Sequence, residues 1–173
     1  MRSSVSEIER IEEANERFAA SFDSGALEIP PARPLIVLTC IDARVDPAAA
    51  FGLRVGDAHV IRNAGGRATD DAIRSMLISS WLLGTREFAV IHHTDCGMTK
   101  FTDDVLRDMI RDGAGVEVEM DFLSFADPEE SAREDVDAIR ATKGFPEGVA
   151  VSGHVYDVRT GRVRQVEAPG PVG

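Results

Sequence analysis

The chain opens on a helical rhythm: Val5, Ile8, Ile11 and Phe18 fall on one stripe among charged neighbours, and Ser4 stands three residues before Glu7, the spacing of a capping box. The pattern predicts an amphipathic helix over residues 4–22, closed by Ser24-Gly25. A proline-rich arm, IPPARP, separates this helix from the rest of the chain. Its apolar stripe must be covered, either by its own domain or, across that arm, by a partner subunit.

Beyond the arm the rhythm changes. PLIVLTC (34–40) is a short β-branched run without polar alternation, which suits a strand buried on both faces of a parallel sheet. AHVIRN (58–63), which runs into Ala64-Gly65-Gly66, and REFAVIHH (86–93) predict two more strands. Between them ATDDAIRSMLISSWLLG reads as a helix capped by Thr69 or Asp70 and stopped by Gly84. Helices are predicted over 100–112 and 128–142. GVAVSGHVYDVRTGRVRQVE then alternates, turns at Thr160-Gly161 and alternates again, which predicts a hairpin, and APGPVG is expected to be a loose end. With no internal repeat and no low-complexity linker, these elements predict a single α/β domain. Its mostly parallel central sheet is flanked by helices, with a C-terminal antiparallel hairpin strand and an N-terminal helical arm. Ligands of such open sheets sit at the carboxyl ends of the strands.

Length and charge narrow the function. At 173 residues the chain suits one domain with a core of its own. No segment is apolar and long enough to cross a bilayer, and MRSSVSEIERIEEANERF lacks the apolar stretch of a secretory signal, so a soluble, cytoplasmic protein is expected. A net charge of −11 without clustered Lys and Arg argues against a nucleic-acid partner. Nucleotide binding fits poorly too, because N-A-G-G is not G-x-G-x-x-G and the next helix opens on two acids. The two cysteines, Cys40 and Cys96, are far apart in sequence and expected as thiols, which leaves metal binding or catalysis as their use.

Cys40 ends the first predicted strand, and His92, His93 and Cys96 gather at the end of the third. Two thiolates and an imidazole suit Zn²⁺ and leave a fourth position to water or a carboxylate, the mark of a catalytic site. Successive strand residues face opposite ways, so one histidine alone reaches such a metal, and spacing allows either to fold back on Cys96. Buried thiols and strand-end histidines are often merely core residues. The neighbourhood of Cys40 outweighs that reading: in CIDAR, Asp42 and Arg44 step back toward the same side of an extended segment. Arg44 is expected to hold Asp42 by two parallel N–H···O bonds, lowering its pKa and leaving one oxygen free to steer a water or shuttle its proton. A surface ion pair is the ordinary fate of Asp-x-Arg, but this one follows a cysteine at a strand end. His59 and His154 read as core or edge residues, and Trp81 as core or interface.

CIDAR (40–44) and HTDCG (93–97) resemble the C-x-D-x-R and H-x-x-C-G motifs of the β-class carbonic anhydrase family. The likeness runs strongly through residues 34–100, VGDAHVIRNAGG included, and the chain resembles the short bacterial branch. The resemblance implies one zinc ion per subunit on Cys40, His93 and Cys96, with Asp42 and Arg44 as the dyad beside it and His92 in a structural task. It implies reversible hydration of carbon dioxide to bicarbonate by a zinc-bound hydroxide, Gly97 offering a backbone N–H to the bound oxyanion. Some relatives have a closed form in which the dyad aspartate takes the fourth metal position, so Asp42 is also a candidate ligand. Members form dimers, which pair into tetramers, with N-terminal helices reaching over the partner. Residues 1–33 would then be the arm and 34–173 the zinc-binding domain. Two departures stand out: Ala43 replaces a serine common in the family, and PPARP lacks a glutamine that donates to bicarbonate. A less polar pocket makes carbonyl sulfide or carbon disulfide the rival substrate. A non-catalytic zinc or redox module is the rival from another class.

Overall fold

The computed structural model describes residues 6–173. Its elements run α1 (Glu7–Ala19), β1 (Leu35–Cys40), α2 (Pro47–Phe51), β2 (His59–Asn63), α3 (Asp70–Leu82), β3 (Glu87–His93), α4 (Asp103–Ala114), α5 (Pro128–Ala141), β4 (Ala150–Tyr156) and β5 (Val163–Pro171). Short 3₁₀ turns at Ala64–Gly66 and Gly97–Thr99 come after β2 and β3. The sheet order is β2-β1-β3-β4-β5, with the first four strands parallel and β5 antiparallel. The chain steps from β1 to β2 on one side and crosses back to β3 on the other, so the carboxyl ends of β1 and β3 lie together where the winding reverses, the usual ligand crevice of an open sheet.

The expected single α/β domain is present, and its core explains its elements. Ile36 and Leu38 of β1, Phe88 and Val90 of β3 and Val151 of β4 pack against Ala72 and Met76 of α3 and Val136 and Ile139 of α5. Each fully buried side chain of this size contributes about 1.5–3 kcal/mol. Caps set the helix ends: Thr69 accepts from Ala72 N–H at 3.3 Å, and Asp127 accepts from Glu129 and Glu130 N–H ahead of Pro128.

Three expectations are corrected. The capping box lies on Ser6 and Glu9, which exchange bonds of 3.1 and 2.6 Å; S-x-x-E occurs twice in this stretch, and Ser4 and Val5 lie outside the described residues. The helix expected over 100–112 begins at Asp103, because Thr102 caps it and residues 97–99 form a separate turn. The tail is not loose: β5 runs to Pro171, Val172 donates to the Val149 carbonyl at 3.0 Å, and Val172 joins the core. Two prolines suggest a frayed end, but β5 is an edge strand, where a missing N–H costs no ladder bond. Trp81, expected in core or interface, is 64% exposed and donates from Nε1 to the Gly144 carbonyl, which leaves the interface reading.

Residues 115–126 have no regular structure and are pinned by one carboxylate. Asp103 accepts from the N–H groups of Phe122, Leu123 and Ser124 and from the Ser124 hydroxyl. Burial opposes its ionisation, but these donors hold the carboxyl down at about 2. The anchor fixes Leu123 in a left-handed conformation and delivers Phe125 to a wall beside Cys40 and Cys96.

Candidate metal centre

Cys40, the last residue of β1, and Cys96, three residues past β3, bring their Sγ atoms to 4.0 Å. Alternation along β3 sends Phe88, Val90 and His92 toward α5 and His93 to the other face. Among the described residues, one trio of potential ligands converges: Cys40, His93 and Cys96, all buried, with ligand atoms within 4.8 Å of one another. His93 Nδ1 bonds to the Thr94 carbonyl at 2.9 Å, which fixes the proton there and leaves the Nε2 lone pair free. That Nε2 is buried without a partner. Two sulfurs and an unpartnered ring nitrogen at such spacing are a donor set that suits a zinc ion.

One of the two thiols, Cys40, leans toward ionisation. The Cys96 thiol beside it draws the Cys40 thiol well below its usual range, while the Cys40 sulfur and burial push Cys96 up. Burial opposes a charge on His93, but the neighbouring Cys40 sulfur, the Thr94 carbonyl and Asp42 together outweigh it and lift its pKa. A cation at this point would replace the proton.

The backbone around Cys40 is held with unusual closeness. Gly66 has φ +73, and a Cβ there would stand 3.0 Å from Cys40 N and Thr39 C, so the turn after β2 presses directly on the end of β1. Arg62 donates from Nε to the Cys40 carbonyl and from Nη2 to the Asp42 carbonyl. Neither contact is visible as spacing in the sequence.

Asp42 and Arg44 do pair, though not along an extended segment. The strand ends at Cys40, and a turn closed by Val45 N–H onto the Asp42 carbonyl folds the two side chains together. Nor is one carboxylate oxygen left free. Oδ1 accepts from Arg44 Nε and from its backbone N–H, and Oδ2 accepts from Nη2 at 2.7 Å. Oδ2 also lies 3.7 Å from His93 Nε2, beside the point where the ligand atoms converge. The Arg44 guanidinium holds the Asp42 carboxyl below the usual carboxylate range. Asp42 is thus engaged by Arg44 in this structure, within a short rotation of the donor set.

Three residues of the site were not legible as site residues. Asp95, between the two potential ligands of the turn, accepts from Arg44 Nη1 at 2.9 Å and pairs with Lys100 at 3.0 Å, which bring its carboxyl down to about 2. Asp135 of α5 accepts from His92 Nε2 at 2.9 Å and from Arg67, so His92 is turned away from the donors, fully buried. Asp135 did carry a signal: it lies on the stripe Ser131, Ala132, Asp135, Val136, Ile139, an acid among buried positions. Phe125, stacked on His92 at 5.4 Å, packs with Phe101 against Cys40, Cys96 and Met98. His154, half-buried, bonds to Ser152 Oγ, and His59 starts the edge strand, in keeping with core and edge roles.

A cavity of about 200 Å³ opens on the centre, lined by Cys40, Ile41, Asp42, Gly65, Cys96 and Gly97, with Ala64 and Met98. Gly97 therefore lines the space where a ligand would sit. Hollows of about 450 and 520 Å³ elsewhere hold none of the three donors, and we assign the chemistry to the small one. Its size and largely apolar lining suit a small, weakly polar molecule.

Known proteins share this arrangement of sequence and fold. The carbonic anhydrase family model matches residues 35–113. Beta-carbonic anhydrase 1 of Mycobacterium tuberculosis is 41% identical over 152 residues, 88% of this chain and 93% of that protein. A carbon disulfide hydrolase of Acidianus is 38% identical over 161 residues, 79% of each. The crystal structure of a carbonic anhydrase from Streptococcus mutans superposes with a TM-score of 0.91 at 42% identity, over 95% of this chain and all of that one.

Proposed function

Because the chain belongs to the β-carbonic anhydrase family, we propose that it hydrates carbon dioxide reversibly to bicarbonate, with Cys40, His93 and Cys96 holding one zinc ion per subunit. The observation that carries this reading is the buried, unpartnered His93 Nε2 meeting two thiols at a strand-end crevice. A zinc ion held there supplies the Lewis acidity that brings the pKa of a water toward about 7. The protein does the rest. Asp42 Oδ2, 3.7 Å from His93 Nε2, would orient the attacking water and accept its proton transiently, while Arg44 keeps the side chain aimed. Ile41, Ala64 and Met98 give a linear, uncharged substrate an apolar berth, and Gly97, which lines the same space, offers its N–H to the oxyanion in this reading.

Carbon disulfide or carbonyl sulfide hydrolysis is the second reading, favoured by the 38% identity to a carbon disulfide hydrolase and by the apolar cavity. Both substrates are linear cumulenes open to the same nucleophile. Assaying one zinc-loaded preparation for carbon dioxide hydration and for sulfide release decides between them. Hydration is expected to be much the faster; sulfide release far exceeding it makes the chain a hydrolase of the sulfur substrates.

The enzyme is further proposed to work as a homodimer or tetramer in the cytoplasm, with residues 1–33 as an arm on the partner and 34–173 as the zinc-binding domain. Uncovered apolar surface supports the assembly. Ile8, Ile11 and Phe18 are exposed on α1, which has no buried residue, Ile29 of the arm is 82% exposed, and β2 is an unpaired sheet edge exposing Val60. The unbonded thiols suit a reducing compartment. Sedimentation of the full chain is expected to give the mass of two or four chains, and Ile11→Asp to shift it toward one; a monomeric wild type refutes the arm. Among the described residues no helix is long and apolar enough to cross a membrane.

A further inference from the structure

We infer that Asp95 is a positioning residue that locks Arg44, and through it Asp42, onto the turn that carries two of the proposed zinc donors. The inference rests on the proposed roles of Asp42 and Arg44. Arg44 is half exposed, and an exposed Arg–carboxylate pair by itself is a weak tether. Here four of the guanidinium's five N–H groups are engaged: Nε and one Nη2 hydrogen on Asp42, Nη1 on the Asp95 carboxylate at 2.9 Å and the other Nη2 hydrogen on the Asp95 carbonyl at 2.8 Å. Asp95 alone supplies half of the acceptors.

Its backbone is shaped for this. Asp95 has φ +53, a left-handed conformation that aspartate and asparagine tolerate far better than bulky residues, and in it the carbonyl and the carboxylate both meet Arg44. Lys100 holds the other carboxylate oxygen at 3.0 Å, so Asp42, Arg44, Asp95 and Lys100 form an alternating chain of charges. Because Asp95 lies between His93 and Cys96, the dyad is tied to the ligand-bearing turn and moves with it. Without the tie, Arg44 is free to swing into solvent, and Asp42 Oδ2, 3.7 Å from His93 Nε2, is free to drift onto the donor set.

The test uses the full chain loaded with zinc or, for spectroscopy, cobalt(II). Asp95→Gly keeps the left-handed backbone and its carbonyl but removes the carboxylate; Asp95→Asn restores one acceptor for Arg44. Asp95→Gly is expected to keep its metal and lower kcat about tenfold with KM nearly unchanged, and Asp95→Asn to recover part of the loss. The visible cobalt spectrum of Asp95→Gly is expected to differ from wild type near neutral pH and to return toward it in Asp95→Asn. Wild-type kcat and an unchanged cobalt spectrum in Asp95→Gly overturn the inference. Asp42→Asn is measured alongside: if it too is fully active with metal bound, the dyad roles fall and this inference with them, whereas an impaired Asp42→Asn beside a wild-type Asp95→Gly defeats the inference alone. Should Asp95→Gly fail to fold, Asp95→Asn with wild-type kcat and cobalt spectrum overturns it equally.

Discussion

His93→Ala is expected to purify without zinc and without hydration activity, while His92→Asn keeps about one zinc per chain. The two rings are neighbours in sequence and both buried, and each has one nitrogen bonded and one without a partner, but only His93 offers its free nitrogen beside the two thiols. His93 Nδ1 is fixed on the Thr94 carbonyl and its Nε2 has no protein partner, so this ring has a lone pair for a metal and nothing else to bind. His92 Nε2 is committed to Asp135 at 2.9 Å, and its ring stacks on Phe125. Removing His93 takes away one of three converging donors and leaves two thiols, too few to close a tetrahedral site with one open position. Removing His92 leaves Asp135 still bonded to Arg67 and to the Ala68 N–H, so the loss is one buried hydrogen bond and a packed ring, a destabilisation of about 1–3 kcal/mol. Metal analysis after dialysis, with urea unfolding of both variants, reads the two effects separately. Zinc lost from His92→Asn and kept by His93→Ala reverses the assignment.

How legible each residue was in the sequence depends on what it does in the chain. β1 and β3 announced themselves because buried parallel strands need unbroken apolar runs, and the periodicity of a strand was enough to say that one histidine faces the crevice. It was not enough to say which one, because alternation has two phases and nothing local sets the phase; the resemblance chose His93, and the structure turns His92 toward Asp135. Asp42 and Arg44 stood out through their spacing from Cys40, but an extended reading of that segment missed the turn that folds them together and so left one carboxylate oxygen free. Contacts made across the fold were out of reach: Gly66 against Cys40, Arg62 on two carbonyls, and Asp103 pinning a loop about twenty residues on, which puts Phe125 over the centre. The tail misled because Pro169, Gly170 and Pro171 have loop chemistry, and only the edge position of β5 makes them compatible with a strand.

The second large effect is expected from Asp42→Asn. The variant keeps the side chain's size and one acceptor, but its amide nitrogen presents hydrogens to Arg44 donors that now meet oxygens, so the fork on Nε and Nη2 is broken on one side. The amide also has no proton affinity near neutral pH, whereas the carboxylate beside His93 Nε2 can both orient the attacking water and hold its proton. Losing a general base of this kind costs about 10²–10⁴-fold in kcat. Zinc content should be unchanged, because the trio Cys40, His93 and Cys96 is intact. The two substrate classes sharpen the test. If carbon dioxide and the sulfur cumulenes meet the same oriented water, the substitution lowers both turnovers by a similar factor and leaves their ratio near the wild-type value; if Asp42 instead serves only to discriminate substrates, the ratio moves and one turnover survives. Full hydration activity in Asp42→Asn with its zinc in place removes the dyad from catalysis.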